Sequence, residues 1–400
     1  MQDKKTALVL SGGGARGAYQ VGVLKAIADM HPKKAANPFT IISGTSAGAL
    51  NAVAMASSAN NFRLGVKKVE KIWSNLEVDQ VVKSRRRDLI ANAWRILYSF
   101  FNSGVGVDRP VALLDNEPLS VLLDRVIRFE NIQPRIDAGY LDAVAISATS
   151  YVTGNSVSFF QGKPDLKRWH RTKRIGVPTT LGVEHLMASS AIPSVFPAVK
   201  IGREYYGDGS VRQLAPLSTA LRLGAERIVV IGVRGHSNTP MEPRRDHSPS
   251  MAQTLGHIFN SAFIDALESD LENLERVNEL VGILQNEAPH RVAGSDYKPV
   301  DVLVIRPTID FDKVAAEHLM DLPPGLRMVL SSMGANRGGG GNLASYLLFS
   351  AGYTQALISH GYSDAMSQRD TIEEFFALHQ EMDFDTVEGG ASLLSRLRAR

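Results

Sequence analysis

The distribution of apolar and polar residues along the chain predicts strands that alternate with helices. Short apolar runs rich in β-branched residues occupy 5–10, 41–43, 143–149 and 227–233, a length and composition typical of buried strands. Between the first two runs, residues 18–30 carry apolar side chains at helical spacing. Such alternation favours a layered α/β fold with a mostly parallel sheet.

The same patterns predict further elements. Residues 157–161 form a strand that pairs with the strand before it, and 199–201 with 204–206 form a short hairpin. Acidic and apolar residues interleave over 251–285, which predicts one or two long helices. The last clear strand is predicted at 300–306.

Two glycine-rich turns stand where predicted strands end and helices begin. One is the run from Ser11 to Gly17, and the other is Gly44-Thr45-Ser46-Ala47-Gly48. Both therefore belong at the carboxyl edge of the sheet, where α/β folds place their sites. The second turn has the pattern Gly-x-Ser-x-Gly, whose glycines permit a strained backbone and leave room for a substrate to approach the serine Oγ. Ser46 is either a nucleophile or the N-cap of a buried helix, and this pentapeptide alone leaves both open.

The first glycine loop has two interpretations. Gly12-x-Gly14-x-x-Gly17 formally matches the dinucleotide-binding fingerprint. That function needs an acidic residue at the end of the second strand, but the second strand ends in the serine turn. We favour an anion cradle, in which glycine N–H groups next to a helix N-terminus point at negative charge.

Composition and charge narrow the class of protein. With 400 residues, 44% of them hydrophobic and 21% charged, the chain can bury the core of one large globular domain or two. A net charge of +3 gives no reason to expect nucleic acid as a partner. The absence of cysteine excludes disulfides, thiol catalysis and cysteine-ligated metals. We read neither a signal peptide nor a run of 18 apolar residues, and therefore expect a cytoplasmic protein.

Basic residues cluster in two places. Residues 83–87 (KSRRR) precede Ile90, Trp94, Leu97 and Phe101, which recur at helical spacing. A basic cluster joined to an aromatic-rich helix is typical of a membrane interface, and the alternative is that the apolar face packs on the protein while the arginines form a solvated edge. We predict a lid or interfacial insertion over 80–105, with peripheral membrane contact through 83–101. The second basic stretch, 167–174, is interpreted as a surface loop.

A serine nucleophile needs a base, and the usual histidine has no evident candidate here. None of the ten histidines stands in a strand-end motif of the expected kind. Asp208, by contrast, lies between two glycines after the predicted strand 204–206, so its carboxylate can be presented to another loop. It could take the Ser46 proton directly if desolvation raised its pKa from about 3.9. The alternative is an ordinary turn aspartate. The histidines are His31, His170, His185, His236, His247, His257, His290, His318, His360 and His379.

Three motifs together resemble the patatin-like phospholipases: GGGARG at 12–17, GTSAG at 44–48 and GDGS at 207–210. The stretches 188–197 and 116–119 are also similar to that family, and the resemblance covers about residues 5–310. It implies a three-layer α/β/α sandwich related to the α/β-hydrolases. It also implies a Ser46–Asp208 dyad without histidine, and neither metal nor cofactor. The implied oxyanion hole is the glycine loop, with Arg16 positioning either the loop or the acyl carbonyl. Its residues are Gly12, Gly13, Gly14, Arg16 and Gly17.

The function expected from this resemblance is hydrolysis of acyl esters of phospholipids or other lipids through an acyl-enzyme. The alternatives are an acyltransferase or thioesterase on the same scaffold, and a catalytically silent membrane-signalling module. We predict a catalytic domain over 1–310 and a mainly helical extension over 311–400. The sequence leaves the role of that extension, the head-group preference and the oligomeric state open.

Overall fold

The protein folds around one mostly parallel sheet with helices on both faces and further helices after residue 310. This confirms the predicted fold class. The computed structural model describes residues 4–85, 87–88, 91, 94, 110, 112–233, 250–261, 266–287, 290, 298–333 and 341–378.

The strands within these residues are β1 Thr6–Leu10, β2 Ile41–Thr45, β3 Ala143–Ser150, β4 Ser156–Gly162, β5 Trp169–Arg171, β6 Arg174–Pro178, β7 Val199–Ile201, β8 Glu204–Asp208, β9 Arg227–Ile231 and β10 Asp301–Ile305. The α-helices are α1 Gly17–Met30, α2 Ala47–Ala56, α3 Phe62–Ser74, α4 Val78–Val81, α5 Glu117–Val126, α6 Ile132–Asp137, α7 Val183–Ser189, α8 Leu217–Arg222, α9 Met251–Asn260, α10 Ala266–Glu287, α11 Phe311–Glu317, α12 Pro324–Ser332, α13 Gly341–Leu347, α14 Ala351–Ser367 and α15 Arg369–Phe376.

The main path of the sheet runs in the order β10-β9-β1-β2-β3-β4-β6-β5. The first five of these strands are parallel, while β4 is antiparallel to β3 and β5 to β6. Strand β8 pairs antiparallel with the end of β3, and β7 forms a hairpin with β8. The predicted pairing of 157–161 and the predicted hairpin at 199–206 are therefore confirmed.

The sheet separates two cores, which makes three layers. Successive side chains of a strand point to opposite faces, so Leu8 and Leu10 of β1 enter one core while Ala7 and Val9 enter the other. The first core is covered by helices that include α1, α2 and α14. The second is covered by α8 and α10. The α/β/α arrangement implied by the resemblance is thus present.

Helix α14 lies directly against α1, backbone to backbone. A Cβ at Gly22 would lie 2.0 Å from the carbonyl oxygen of Ile358, and a Cβ at Gly361 would lie 2.2 Å from that of Tyr19. A Cβ at either position would push the backbones apart, so both glycines are required for this close packing of α1 on α14. The helices after 310 thereby share the first core with the sheet. The domain boundary at 310 stays a prediction.

The interpretation of 167–174 as a surface loop is wrong, because part of it forms the edge strands β5 and β6. Trp169 of β5 stacks on Phe160 of β4, with ring centroids 5.0 Å apart and an interplanar angle of 20°. Gly176 opposite leaves room for this ring, since a Cβ there would lie 2.2 Å from it. Burial of the aromatic ring outweighs the flanking charges.

Most of the predicted insertion over 80–105, and of the membrane contact at 83–101, lies outside the described residues. At its start, Lys83 donates to Asp115 at 2.9 Å and to Glu117 at 2.5 Å. No helix within the described ranges is long and apolar enough to cross a membrane.

Candidate active site

Ser46 forms the apex of a tight turn between β2 and α2. Its backbone lies at φ 53° and ψ −124°, a strained conformation for a residue with a Cβ. The two glycines of the turn are sterically required: a Cβ at Gly44 would lie 2.3 Å from the carbonyl oxygen of Gly48, and one at Gly48 would lie 2.3 Å from that of Leu10. The Ser46 hydroxyl makes no capping hydrogen bond to α2 within the described residues. This geometry favours a nucleophile over a helix cap.

A second serine holds this turn in place. The backbone N–H of Ser46 donates to Ser189 Oγ at 2.8 Å, and that hydroxyl donates to the carbonyl oxygen of Ser147 at 2.6 Å. The Ser189 hydroxyl thus ties the Ser46 turn to β3. The sequence analysis missed this role, although Ser189 stands in the 188–197 stretch that contributed to the resemblance.

The register of β3 brings Asp208 next to Ser46. Thr45, the last residue of β2, pairs with Ser147, while Asp208 pairs with the following residue, Ala148. Strand β4 occupies the other edge of β3 over the same residues. Strand β8 therefore pairs with the same edge of β3 as β2 does, beginning where β2 ends. The partner of Asp208 is one residue beyond the partner of Thr45, a rise of about 3.3 Å along β3. Because β8 runs antiparallel, Asp208 is the residue that meets the end of β2.

The Asp208 carboxylate is buried and rigidly held. The backbone N–H of Asp208 donates to the carbonyl oxygen of Ala191 at 2.8 Å, and the backbone carbonyl oxygen of Asp208 accepts from Thr149 Oγ1 at 2.8 Å. Side-chain Oδ1 accepts from the N–H of Ser210 at 2.9 Å. Among the described residues Oδ2 has no hydrogen-bond partner. One carboxylate oxygen is therefore fixed, and the other is available to receive a proton.

Burial raises the pKa of Asp208 from 3.8 to about 6, since the fully enclosed carboxylate loses hydration. The Ser210 N–H and the hydroxyls of Ser46 and Ser210 act in the opposite direction. Although the Ser46 hydroxyl is near enough to lower this pKa, it does not complete a hydrogen bond to Oδ2. Catalytic hydrogen bonds are often long until substrate binds. A pKa near 6 suits a base that works close to neutral pH.

The glycine-rich loop lies beside Ser46. Gly14 and Ser46 line the same small apolar pocket of about 50 Å³, together with Ile192, Phe196 and Tyr346. Gly12 borders the end of β2 on the other side, close to Gly44 and Thr45. The turns that the sequence places at one sheet edge are thus adjacent in the structure.

Two other loop glycines are needed for packing. A Cβ at Gly13 would lie 2.7 Å from a methyl group of Val233, and a Cβ at Gly17 would lie 2.8 Å from that of Ala47. Gly17 is the first residue of α1, so its lack of a side chain lets α1 approach α2, the helix that follows Ser46. Both residues keep the loop close to Ser46.

The Arg16 side chain contacts the C-terminal helices. Its guanidinium, in a residue only 4% exposed, donates to Ser345 Oγ and to Asp312 Oδ1. It also lies 4.1 Å from the ring centroid of Tyr346. Of the two roles that the resemblance implies, these contacts favour positioning of the loop over contact with the acyl carbonyl.

A large apolar cavity of about 830 Å³ opens beside Asp208. Asp208 and Ser210 are among the few polar residues in its wall, while helices α9, α12 and α13 supply apolar side chains. Sequence analysis missed these residues because apolar positions at helical spacing look the same whether they face a core or a cavity. The wall residues on these helices are Leu255, Ile258, Phe259, Leu326, Val329, Leu330, Leu343 and Leu347, and Met333 follows directly after α12.

No histidine hydrogen-bonds to Ser46 or Asp208 in the part of the chain that the structure describes. The buried His185 instead accepts from the N–H of Gly182 at 3.1 Å, and burial lowers its pKa. The described residues also contain no group of three or more histidine and acidic side chains that could hold a metal ion.

The chain matches the model of one protein family, Patatin-like phospholipase, over residues 8–221, more than half of its length. Among solved structures it is similar to VipD from Legionella pneumophila at 13% identity and a TM-score of 0.34, covering 92% of this chain and 67% of that one. It is also similar to a chain of the heterodimeric ExoU–SpcU complex from the type III secretion system of Pseudomonas aeruginosa. That match has 15% identity and a TM-score of 0.27, and covers 86% of this chain and 68% of that one. Among curated proteins the chain has no match.

Proposed function

This chain belongs to the patatin-like phospholipase family, and on that premise we propose that it is a serine lipid acyl hydrolase with Ser46 as nucleophile and Asp208 as its base. Membership of the family supports lipid hydrolysis in general. The observation that carries the finer assignment is the register on β3, which sets the strained Ser46 turn next to the buried Asp208. An apolar cavity opens beside the same carboxylate.

In the first half of the reaction, Asp208 Oδ2 takes the proton of the Ser46 hydroxyl while Ser46 Oγ attacks the ester carbonyl carbon. The carbonyl oxygen gains negative charge, and backbone N–H groups of the Gly12–Gly14 loop donate to it. Preorganised donors of this kind are worth about 3–4 kcal/mol each in other enzymes. The intermediate then collapses, the bond to the alcohol oxygen breaks, and Asp208 returns its proton to that oxygen.

In the second half, water hydrolyses the acyl-enzyme. Asp208 removes a proton from the water, whose oxygen attacks the acyl carbon while the same glycine loop stabilises the oxyanion. The bond to Ser46 Oγ breaks, Asp208 reprotonates that oxygen, and a free fatty acid leaves. One carboxylate serves both steps because its pKa of about 6 leaves it ionised near neutral pH.

The cavity favours a long hydrocarbon chain as part of the substrate. Its volume of about 830 Å³ falls within the range of roughly 300–1,000 Å³ that small-molecule sites occupy. Each CH₂ group buried on its apolar walls contributes about 0.8 kcal/mol. We therefore propose long-chain acyl esters, phospholipids among them, as the substrate class.

A lipid panel tests this function. Wild-type protein, Ser46→Ala and Asp208→Asn are incubated with phospholipids, lysophospholipids, acylglycerols and acyl thioesters, and products are identified by mass. We expect free fatty acid from wild type and from neither variant. Full activity of Ser46→Ala would reject the assignment. Transfer to a supplied alcohol in preference to water would identify an acyltransferase instead.

Peripheral membrane contact through residues 83–101 is proposed from the sequence. Each basic residue near an anionic surface contributes about 1 kcal/mol at moderate salt. Reversal of the charges of Arg85, Arg86 and Arg87 should therefore weaken co-sedimentation with anionic vesicles in low salt. Unchanged co-sedimentation would reject this contact.

A further inference from the structure

The side chain of Arg16 joins the glycine-rich loop to helices that lie far along the chain. Its Nη2 donates to Asp312 Oδ1 at 3.1 Å, at the start of α11. Its Nε and Nη2 donate to Ser345 Oγ at 3.0 and 2.6 Å, and its Nη1 donates to the Tyr346 hydroxyl at 3.3 Å, both in α13. We name Asp312, Ser345 and Tyr346 the Arg16 clamp.

The same helix α13 also touches the loop backbone. Gly14 lies at φ +55°, and a Cβ there would be 2.2 Å from the carbonyl oxygen of Tyr346. Two residues later the N–H of Arg16 donates to Gly13 O at 3.1 Å, which closes the turn. Because the Gly14 backbone packs against α13 and Gly14 lines one small pocket with Ser46, a shift of α13 would move the loop relative to Ser46.

The clamp residues support one another. Ser345 Oγ donates to Asp312 Oδ1 at 3.3 Å, and the Tyr346 hydroxyl donates to Asn260 Oδ1 at 2.8 Å. The Arg16 guanidinium also lies 5.2 Å from the ring centroid of Phe311. Arginine stays charged and presents a rigid fork of donors, so its partners fix its orientation.

From these contacts we propose that the Arg16 clamp holds the glycine-rich loop in its oxyanion-binding position, which makes Asp312, Ser345 and Tyr346 positioning residues for the reaction. All three lie beyond residue 221, outside the matched family region. The inference rests on the proposed function and gives a role to residues after 310. A misplacement of about 1 Å in such a site can lower a rate about 100-fold.

The principal test is Asp312→Asn, which keeps the side-chain shape but removes the negative charge beside Arg16. We expect kcat on a long-chain ester to fall about tenfold or more with little change in KM, because the oxyanion donors act in the transition state. Phosphonylation of Ser46 by a fluorophosphonate probe should slow in parallel, since that reaction develops charge on the corresponding oxygen.

Asp364→Asn is the matched control. Asp364 also links a C-terminal helix to the N-terminal part of the chain, accepting from the Tyr19 hydroxyl at 2.9 Å and from Thr308 Oγ1 at 2.6 Å. It makes no contact with the glycine loop among the described residues. We expect it to lower thermal stability while kcat stays close to wild type. If Asp312→Asn fails to fold, Ser345→Ala and Tyr346→Phe are the milder variants.

The outcomes separate this inference from the proposed function. Wild-type kcat in a folded Asp312→Asn protein, with Ser46→Ala inactive, would overturn the clamp and leave the dyad intact. Equal losses of kcat in Asp312→Asn and Asp364→Asn would show general destabilisation and would also overturn it. Full activity of Ser46→Ala would remove the proposed function itself.

Discussion

The two sides of the candidate site are built from different parts of the molecule. The strand-end side consists of the turns after β1, β2 and β8. In these turns a Cβ on Gly44, Gly48 or Gly209 would lie within 2.3 Å of a backbone carbonyl oxygen, so none of the three can carry a side chain. The cavity side consists of ordinary apolar side chains on α9, α12 and α13. Backbone contacts fix the first side, whereas side-chain volume shapes the second. Changes in the first should therefore decide whether the reaction occurs, and changes in the second should decide which acyl chain is accepted.

The largest effect is expected at the nucleophile. Ser46→Ala should lower kcat/KM roughly 10⁴-fold or more, because the proposed mechanism forms the acyl-enzyme on Ser46. Ser57→Ala is the control, since Ser57 Oγ donates to Ala54 O at the end of α2 and has no other hydrogen bond among the described residues. Steady-state kinetics on a long-chain ester would measure both. Comparable losses in the two variants would point to damage of α2 rather than of the dyad.

Asp208→Asn should lower kcat/KM by about 10³-fold or more, but also stabilise the fold. The folded pKa of about 6 lies above the unfolded value of 3.8, so the folded state binds more protons between these values. Wild-type stability therefore falls as pH rises through this window, and above about 6 the buried charge costs up to about 3 kcal/mol. Asparagine carries no such charge.

Denaturant unfolding of wild type and Asp208→Asn at about pH 8 and about pH 4 measures this difference. The variant's advantage in free energy of unfolding should be largest at the higher pH and should shrink at the lower. An advantage that does not depend on pH would contradict the raised pKa.

On the cavity side, Val329→Trp should change chain-length preference. The added ring occupies the wall of the cavity, so long acyl esters lose about tenfold in kcat/KM relative to short ones, the equivalent of roughly two buried CH₂ groups. Met328→Trp on the same helix is the control, because Met328 is exposed and does not line the cavity. A profile of esters with increasing chain length measures the shift. Identical profiles for the two variants would mean that the chain binds elsewhere.

The smallest effect is expected at Ser189, which supports the nucleophile turn without touching substrate. Ser189→Ala leaves the buried N–H of Ser46 without its acceptor, which should cost about 1–3 kcal/mol of stability and lower kcat severalfold. Ser158→Ala, which loses a buried hydrogen bond to Thr219, should cost stability alone. Thermal unfolding and kcat together distinguish the two. A kcat as high as that of Ser158→Ala would limit Ser189 to a structural role.

The strand-end turns could be predicted from the sequence, whereas the cavity could not. Glycines at 44, 48 and 209 are required by backbone contacts, so the strand-end turns leave a recognisable pattern. The resemblance implied that Ser46 and Asp208 act as a pair, and the register on β3 gives the physical reason why they lie close together. The cavity has no such sequence pattern, because apolar residues such as Val329 and Leu330 recur at the same helical spacing whether they face a cavity or a packed core.

Two other parts of the structure could not be predicted because they depend on contacts between residues distant in sequence. Arg16 meets Asp312 and Ser345, about 300 positions later, and nothing local to the glycine loop indicates that pairing. Residues 167–174 read as a polar loop because charges surround Trp169, yet stacking on Phe160 makes part of the stretch a strand. Tertiary packing overrode the local pattern there.

Activation of Ser46 by Asp208 can be measured directly through the rate of fluorophosphonate labelling as a function of pH. Labelled peptides are identified by mass spectrometry at each pH, for wild type and for Asp208→Asn. We expect a single adduct, on Ser46, in wild type. Its labelling rate should fall about tenfold per pH unit below about pH 6 and level off above that pH. In Asp208→Asn the labelling should be slow at every pH. An adduct on another residue, or equally fast labelling of Ser46 in the variant, would contradict the dyad.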